Sequence, residues 1–357
     1  MFDNRHPFME LRLNGRSLQA NALKYLLSVE LKESQTDLDA VTIQLAVPEK
    51  PWEVLSLAEP GSTFEVLLGY NNVPMRSVFG DIIEISHSRS TSAPWTMSLQ
   101  GVDCLHRLKD KQRATPWEGT HSKIVQDIAA DVGLPAEVQE VSTTGGFAVQ
   151  LEEDYATFLS RLAKTNNYFV RIEKMGPTDA QPTLRFGRRS LLSFSKAVTL
   201  TWGREIEKVD LKYSLEGMVG EVVVQGRNYE KDDNFSGKAD TGELRRISGG
   251  DTGPEMATRA FGARSFTVDN STEQVEGDAK ERATAELQER AEKFLTGSID
   301  CIGLPEARSG AELLVLGASW PFSGKFLIEE TTHSFDPGSG YHTSITFYSD
   351  SLPPRTG

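Results

Sequence analysis

The sequence predicts a mainly β protein with a smaller α/β part: two related β-barrel domains with an α/β domain inserted between them. Three observations lead there. Residues 8–103 break into six short strand-like runs separated by Pro, Gly, Asn and Ser turns, the pattern of a small barrel or sandwich. After residue 115 the apolar spacing changes from alternation to helical periodicity. The last 50 residues then echo, in order, the end of the first β region.

The first region, 1–114, opens with Met9-Glu10-Leu11-Arg12-Leu13, which alternates and runs into Asn14-Gly15, the strongest short hairpin signal. Strand-like runs follow at Leu27–Leu31, Val41–Val47, Thr63–Leu68, Val78–Ser86 and Thr96–Val102.

The α/β region, 115–197, begins where Thr120 or Ser122 can cap a helix with apolar residues at Ile124, Val125, Ile128, Ala129 and Val132, stopped by Gly133. Asp154 starts a second helix whose apolar face is Tyr155, Phe158, Leu159, Leu162 and Ala163. Tyr168–Ile172 and Pro182–Phe186 read as a strand pair.

From 198 to 357 the chain returns to strands, at Val198–Trp202, Val209–Tyr213 and Gly220–Gln225. A polar, Gly- and Asp-rich stretch at 228–258 reads as an exposed excursion. A long helix is expected over 273–296, with Ala279, Ala283, Leu287, Ala291 and Leu295 on one stripe and Gly297 as its stop. Such a stripe fits a helix covering its own barrel and a helix touching another chain equally well.

The echo has four elements. Gly61–Gly69 resembles Gly310–Gly317 as an apolar strand between glycines; Gly80-Asp81-Ile82-Ile83-Glu84 matches Gly324–Glu329 with one residue inserted. Each copy continues to a His-Ser pair, His87-Ser88 and His333-Ser334, and closes on an alternating strand ending in an acid, Thr96–Asp103 and Thr343–Asp350. Duplication has a geometric use: a closed trimer of such a chain presents six similar units around its axis.

Composition narrows the function. The 357 residues carry a formal charge of −13, and the densest basic clusters, Arg185–Arg189 and Arg245-Arg246, are short; nucleic acid, which needs a basic footprint, is not an expected partner. No run of apolar residues is long enough for a membrane helix, so direct membrane insertion is not expected. The first residues lack a secretory signal pattern. Cys104 and Cys301 read as two buried free thiols, without a zinc spacing.

No nucleophile elbow, His-Glu-x-x-His helix or phosphate-binding Gly-Lys loop is present. The acidic pairs Glu152-Glu153 and Glu329-Glu330 are adjacent residues, which point apart on either regular structure. Catalysis and cofactors are therefore not expected. His333, Asp336 and His342 flank a turn and read as ordinary strand and turn residues rather than metal ligands. Asp232, Asn234, Ser236, Asp240 and Glu243 fit calcium-loop spacing, with Gly237 at the sixth position; against it, Ala239 stands where a larger apolar residue is usual, and the flanks are not helical. No metal is expected there.

Three stretches carry a family likeness. Tyr155-Ala156-Thr157-Phe158-Leu159-Ser160-Arg161-Leu162-Ala163 resembles an aromatic-x-x-Phe-Leu-x-Arg-Leu-Ala helix, followed by the aromatic strand Tyr168-Phe169-Val170. Trp117-Glu118-Gly119-Thr120 leading into Ile124-Val125 resembles the entry to a second small-domain helix. Gly303-Leu304-Pro305, Phe322-Ser323-Gly324, Thr332–Phe335 and Gly340–Thr343 resemble a set of closing strands. On these residues the chain resembles the late control D family, hub proteins of contractile phage tails and related injection systems, and the N-terminal hub portion of type VI secretion spike proteins. The resemblance implies a non-enzymatic baseplate hub, a homotrimer adapting a threefold spike to the sixfold inner tube. The implied partners are a separate spike protein, the tube or its initiator and other baseplate proteins. Assembly would be cytoplasmic, into a phage or contractile injection particle. The chain stops at Gly357 without a needle repeat or lysozyme-like domain, hence the separate spike. The competing reading is a secreted two-domain β adhesin or tail-tip effector binding a cell-surface ligand.

Overall fold

A computed structural model describes residues 6–18, 24–35, 37–92, 94–109, 113–141, 147–166, 168–174, 178–179, 181–188, 197–228, 232–269 and 275–355. The first β unit comprises β1 (Pro7–Leu13), β2 (Arg16–Ser17), β3 (Leu26–Ser34), β4 (Ala40–Ala46), the single turn α1 (Trp52–Leu55), β5 (Thr63–Tyr70), β6 (Val73–Ser88) and β7 (Thr96–Asp103). The inserted α/β unit follows as β8 (Arg113–Glu118), α2 (His121–Asp131), β9 (Ala136–Val138), β10 (Phe147–Glu153), α3 (Tyr155–Thr165), β11 (Phe169–Glu173) and β12 (Thr183–Gly187). The second β unit contains β13 (Val198–Thr201), β14 (Ile206–Tyr213), β15 (Glu221–Asn228), β16 (Asp233–Asp240), α4 (Gly253–Phe261), β17 (Ser265–Val268) and α5 (Glu276–Glu292). It ends in β18 (Leu295–Ile302), β19 (Glu312–Leu316), β20 (Gly324–Asp336) and β21 (Gly340–Ser349).

The helix starts have the expected chemistry. The Thr120 hydroxyl accepts from Lys123 N–H at 3.3 Å, and the Asp154 carboxylate from Thr157 N–H at 2.7 Å. Phe158, Leu159 and Leu162 are buried together with Ile124, Val125 and Ile128 in one apolar core of the α/β unit. The expected boundary near 197 adjoins residues 189–196, outside the described residues.

The duplication is visible in strand order. The antiparallel path β3-β4-β7-β6-β5 recurs as β14-β18-β21-β20-β19, with the strands in the same chain order. Its irregularities recur as well. A bulge leaves Leu27 unpaired between Leu26 and Ser28 in the first unit, and Glu207 between Ile206 and Lys208 in the second. A second bulge leaves out Ile83 in β6 and Glu329 in β20. Gly61 and Gly310 both take positive φ, 90° and 85°, and each donates its N–H at 2.8 Å, to the carbonyls of Ile82 and Ile328. A bulge shifts the pairing of everything beyond it, so two coincident bulges make chance likeness a poor explanation.

These registers correct the alignment of the repeat. Ile82 corresponds to Ile328, which sets Gly80 against Phe326 rather than Gly324. His87 still meets His333, because it lies four residues past its bulge just as His333 does. His87 pairs with Met97 and His333 with Thr343, so the last strands align one residue away from the match between Thr96 and Thr343. Backbone pairing fixes which side chains share a face, and glycine identity does not.

The two β units are not separate bodies. Their strands share one 13-stranded sheet, curled into two half-barrels. The first half of β20, Gly324–Leu327, pairs with β19; its second half, Glu330–Phe335, leaves β19 and pairs antiparallel with β3. Each half-barrel keeps its own apolar core.

The expected excursion at 228–258 is largely regular structure. β16 pairs with β15 over eight residues, β17 joins β15 in parallel, and α4 carries a Thr252–Glu255 capping box. α5 spans 276–292, shorter than expected; 273 and 274 lie outside the described residues, and Leu295 and Gly297 belong to β18. Gly297 is there because a Cβ would lie 2.4 Å from the Phe347 ring. Ala279, Ala283, Leu287 and Ala291 are buried against Val222, Val224 and Ala239, so the stripe covers the chain's own sheet. Gly237 permits this contact, since a Cβ would come within 2.2 Å of the Ala279 backbone.

Candidate functional site

Polar side chains are buried where the half-barrels fuse. Val29, Leu31 and Glu33 are the inward-facing residues of β3, and all three are buried. A carboxylate at an apolar position is costly unless paired. Arg76 from β6 makes a close ion pair with Glu33, and Thr331 on β20 donates its hydroxyl to Glu33 at 3.2 Å. Burial pushes the Glu33 carboxyl up, but Arg76, the His333 contact and Arg308 outweigh it and hold the group well below the usual range.

His333 is fully buried next to Glu33, 3.5 Å away. Its Nε2 lies 3.0 Å from the Ala307 carbonyl, which can only accept, so this nitrogen carries the hydrogen. Nδ1 then accepts from Tyr341 OH at 2.9 Å and lies 3.2 Å from Thr343 Oγ1. That is a neutral imidazole, and burial lowers its pKa accordingly.

The α/β unit is anchored at the same place. Arg171 on β11 donates to the Ser34 carbonyl at 2.8 Å and to Ser309 Oγ. Glu173 pairs with Arg308 and, at 2.9 Å, with Arg185. Lys174 meets Glu65 at 2.7 Å. Thus β11 grips both half-barrels, and Arg185, from the densest basic cluster in the sequence, is a buried ion-pair partner rather than part of a nucleic-acid footprint.

Beside this junction, residues from β3, β7, α3, β11 and α5 line a cleft of about 670 Å³. On its wall Asp39 and Asp103 lie together: Asp39 N–H donates to Asp103 Oδ2 at 2.8 Å, and Asp103 N–H to the Asp39 carbonyl at 2.9 Å. Burial raises both carboxyls, Asp39 to about 8, with Arg171 opposing. Both acids are occupied with backbone amides, Asp39 with Ser34 N–H at 3.1 Å and Asp103 with Leu105 N–H at 2.7 Å. The pair therefore closes a corner of the fold.

The residues weighed as ligands do not converge. Asp232, Asn234, Ser236 and Asp240 run along β16 or at its edge, where an extended chain rises about 3.3 Å per residue; Asp240 and Glu243 instead form a reciprocal capping box. A strand spreads residues that a metal loop must gather. Asp336 accepts from Gly338 and Ser339 N–H in an exposed turn, and His342 lies across from Ser334, on the face opposite His333. Among the described residues no group of three His, Cys, Asp or Glu could hold a metal, and no helix is long and apolar enough to cross a membrane. Cys104 and Cys301 are buried free thiols, pushed up to about 12 by burial.

Arg76, Arg171, Glu173 and Arg308 carry no mark in the sequence pattern, whereas Glu33 carries one that the sequence reading passed over: a carboxylate in phase with Val29 and Leu31 on the inward face of its strand.

Solved structures share this fold at low sequence identity. The 43 kDa tail protein of prophage MuSo2 from Shewanella oneidensis aligns with a TM-score of 0.68 at 14% identity, over 97% of this chain and 100% of that one. A tail protein from Neisseria meningitidis aligns at 0.69 and 16% identity, over 96% and 97%. An E. coli component of the type VI secretion system, described as structurally similar to bacteriophage tail proteins, aligns at 0.60 and 15% identity, over 97% and 79%. The fold is thus that of tail and type VI secretion proteins. No curated protein matches the sequence. A family model described as the Alg8 N-terminal domain matches residues 49–336, and the chain belongs to that family.

Proposed function

We propose that the chain is a structural, non-enzymatic baseplate hub of the late control D type: a homotrimeric ring that adapts a threefold spike to the sixfold inner tube of a phage tail or contractile injection particle. The observation that carries this is the duplicated half-barrel, with both bulges and the Gly61/Gly310 turn repeated. Three chains bearing two equivalent units each display threefold symmetry on one side and near-sixfold symmetry on the other. The shared fold of tail and type VI secretion proteins supports a place in such a particle. The buried junction fits the same role, since an adaptor must hold its two units at a fixed angle. The proposed partners are the spike, the tube or its initiator and neighbouring baseplate proteins. Mass photometry of the purified chain, alone and with its cognate spike, tests this. Trimers are expected, and a monomer under both conditions would sink the proposal.

A further inference from the structure

Each half-barrel has two edges, and the chain joins one edge of each internally. At that junction Glu330–Phe335 of β20 pairs with Val29–Ser34 of β3. The repeat assigns each side a counterpart: Glu84–Arg89, which runs one residue past the end of β6, and Val209–Ser214, which runs one residue past the end of β14. Among the described residues neither counterpart has a sheet neighbour on that side. β5 stops pairing with β6 at Asp81, and Val209–Tyr213 of β14 pair with β18 alone.

The counterparts match in chemistry as well as position. Val29-Glu30-Leu31-Lys32-Glu33-Ser34 is repeated as Val209-Asp210-Leu211-Lys212-Tyr213-Ser214, and Glu330, His333 and Ser334 recur as Glu84, His87 and Ser88. The His333–Tyr341 ring contact, centroids 5.9 Å apart, recurs as His87–Trp95 at 6.3 Å. Lys32 bridges the internal junction to Glu330 at 2.9 Å, and Lys212 and Glu84 hold the corresponding places. At the junction Val29, Leu31, Glu33, Thr331 and His333 are buried; on the free edge Tyr213, the counterpart of Glu33, is 47% exposed, and Val209 and Leu211, the counterparts of Val29 and Leu31, are only half-buried. A long edge with exposed apolar residues is a site for strand addition.

We propose that the end of β6 in one copy pairs antiparallel with β14 of the next copy in the register of the internal junction. Glu84 then faces Ser214, Ser86 faces Lys212 and Ser88 faces Asp210, and Lys212 reaches Glu84 across the seam. This inference rests on the ring reading above and names the contact by which one copy holds the next. The occupant is a second copy because the complement of each free edge lies on this same chain. Such head-to-tail contacts close into a ring when the rotation permits.

Gln35 N–H donates to the Glu329 carbonyl, so pairs an odd number of steps along, including Lys32 with Thr332, lack mutual hydrogen bonds. In such a pair the Cα atoms lie about 4.5 Å apart, within disulfide range. The full-length variant carrying Ser86→Cys and Lys212→Cys, oxidised with copper phenanthroline, should form a covalent trimer on a non-reducing gel. The slipped pair Ser86→Cys with Asp210→Cys should not. Buried Cys104 and Cys301 do not compete. Independently, Glu84→Lys should move assembly to about tenfold higher concentration, and adding Lys212→Glu should restore it. A trimer that cross-links only in the slipped pair, or in neither, would overturn the contact and leave the ring standing. Protein that remains monomeric in wild type and both variants, alone and with spike, would overturn both.

Discussion

At the residue scale, the junction turns on Glu33. With it removed, Arg76 stays in a buried site without its carboxylate, and breaking a buried pair on one side costs about 3–5 kcal/mol. Glu33→Ala should therefore lower the melting temperature markedly, and an unchanged melting curve would show that the pair is not buried in solution. Asp39 gives a signed pH effect. Its folded pKa, about 8, lies above the ordinary carboxylate value. Between roughly pH 4 and 8 the folded chain holds a proton that the unfolded chain has lost, so this group's contribution to stability falls as pH rises. Asn mimics the protonated acid. The stability of Asp39→Asn relative to wild type should thus climb from pH 5 to pH 9, and a flat difference across that range counts against the shift.

At the element scale, alternation and capping residues were enough to place most strands and both helices of the α/β unit. Phe158 lies on the predicted helix face, fully buried and stacked on Trp117; Phe158→Ala should cost about 3–5 kcal/mol in thermal or denaturant unfolding. Helix α5 was less legible. Ala279, Ala283, Leu287 and Ala291 made a clear stripe, but what it touched depended on β15 and β16, and their region read as a polar excursion. β16 alternates Asp, Asn, Lys and Gly with few apolar residues because α5, not a second sheet, covers its inner face. Gly237→Val should dislodge α5 and lower stability, with α5 amides losing hydrogen-exchange protection first. The junction itself was hidden because pairs such as Glu33 with Thr331 join residues 298 apart in sequence, and local periodicity carries no information about such partners.

At the scale of the whole molecule, the repeat in the sequence was real but its register was not readable from glycines. The bulges at Leu27, Ile83, Glu207 and Glu329 set the equivalence, and a bulge leaves no sequence mark of its own. Once they are matched, the fused half-barrels read as two steps of one repeating sheet, joined internally by β20 and β3. The most direct measurement is negative-stain imaging of the purified chain at concentrations where it assembles. Closed rings of three chains with near-sixfold modulation of density are predicted; single particles the size of one chain, or open filaments, would contradict the account.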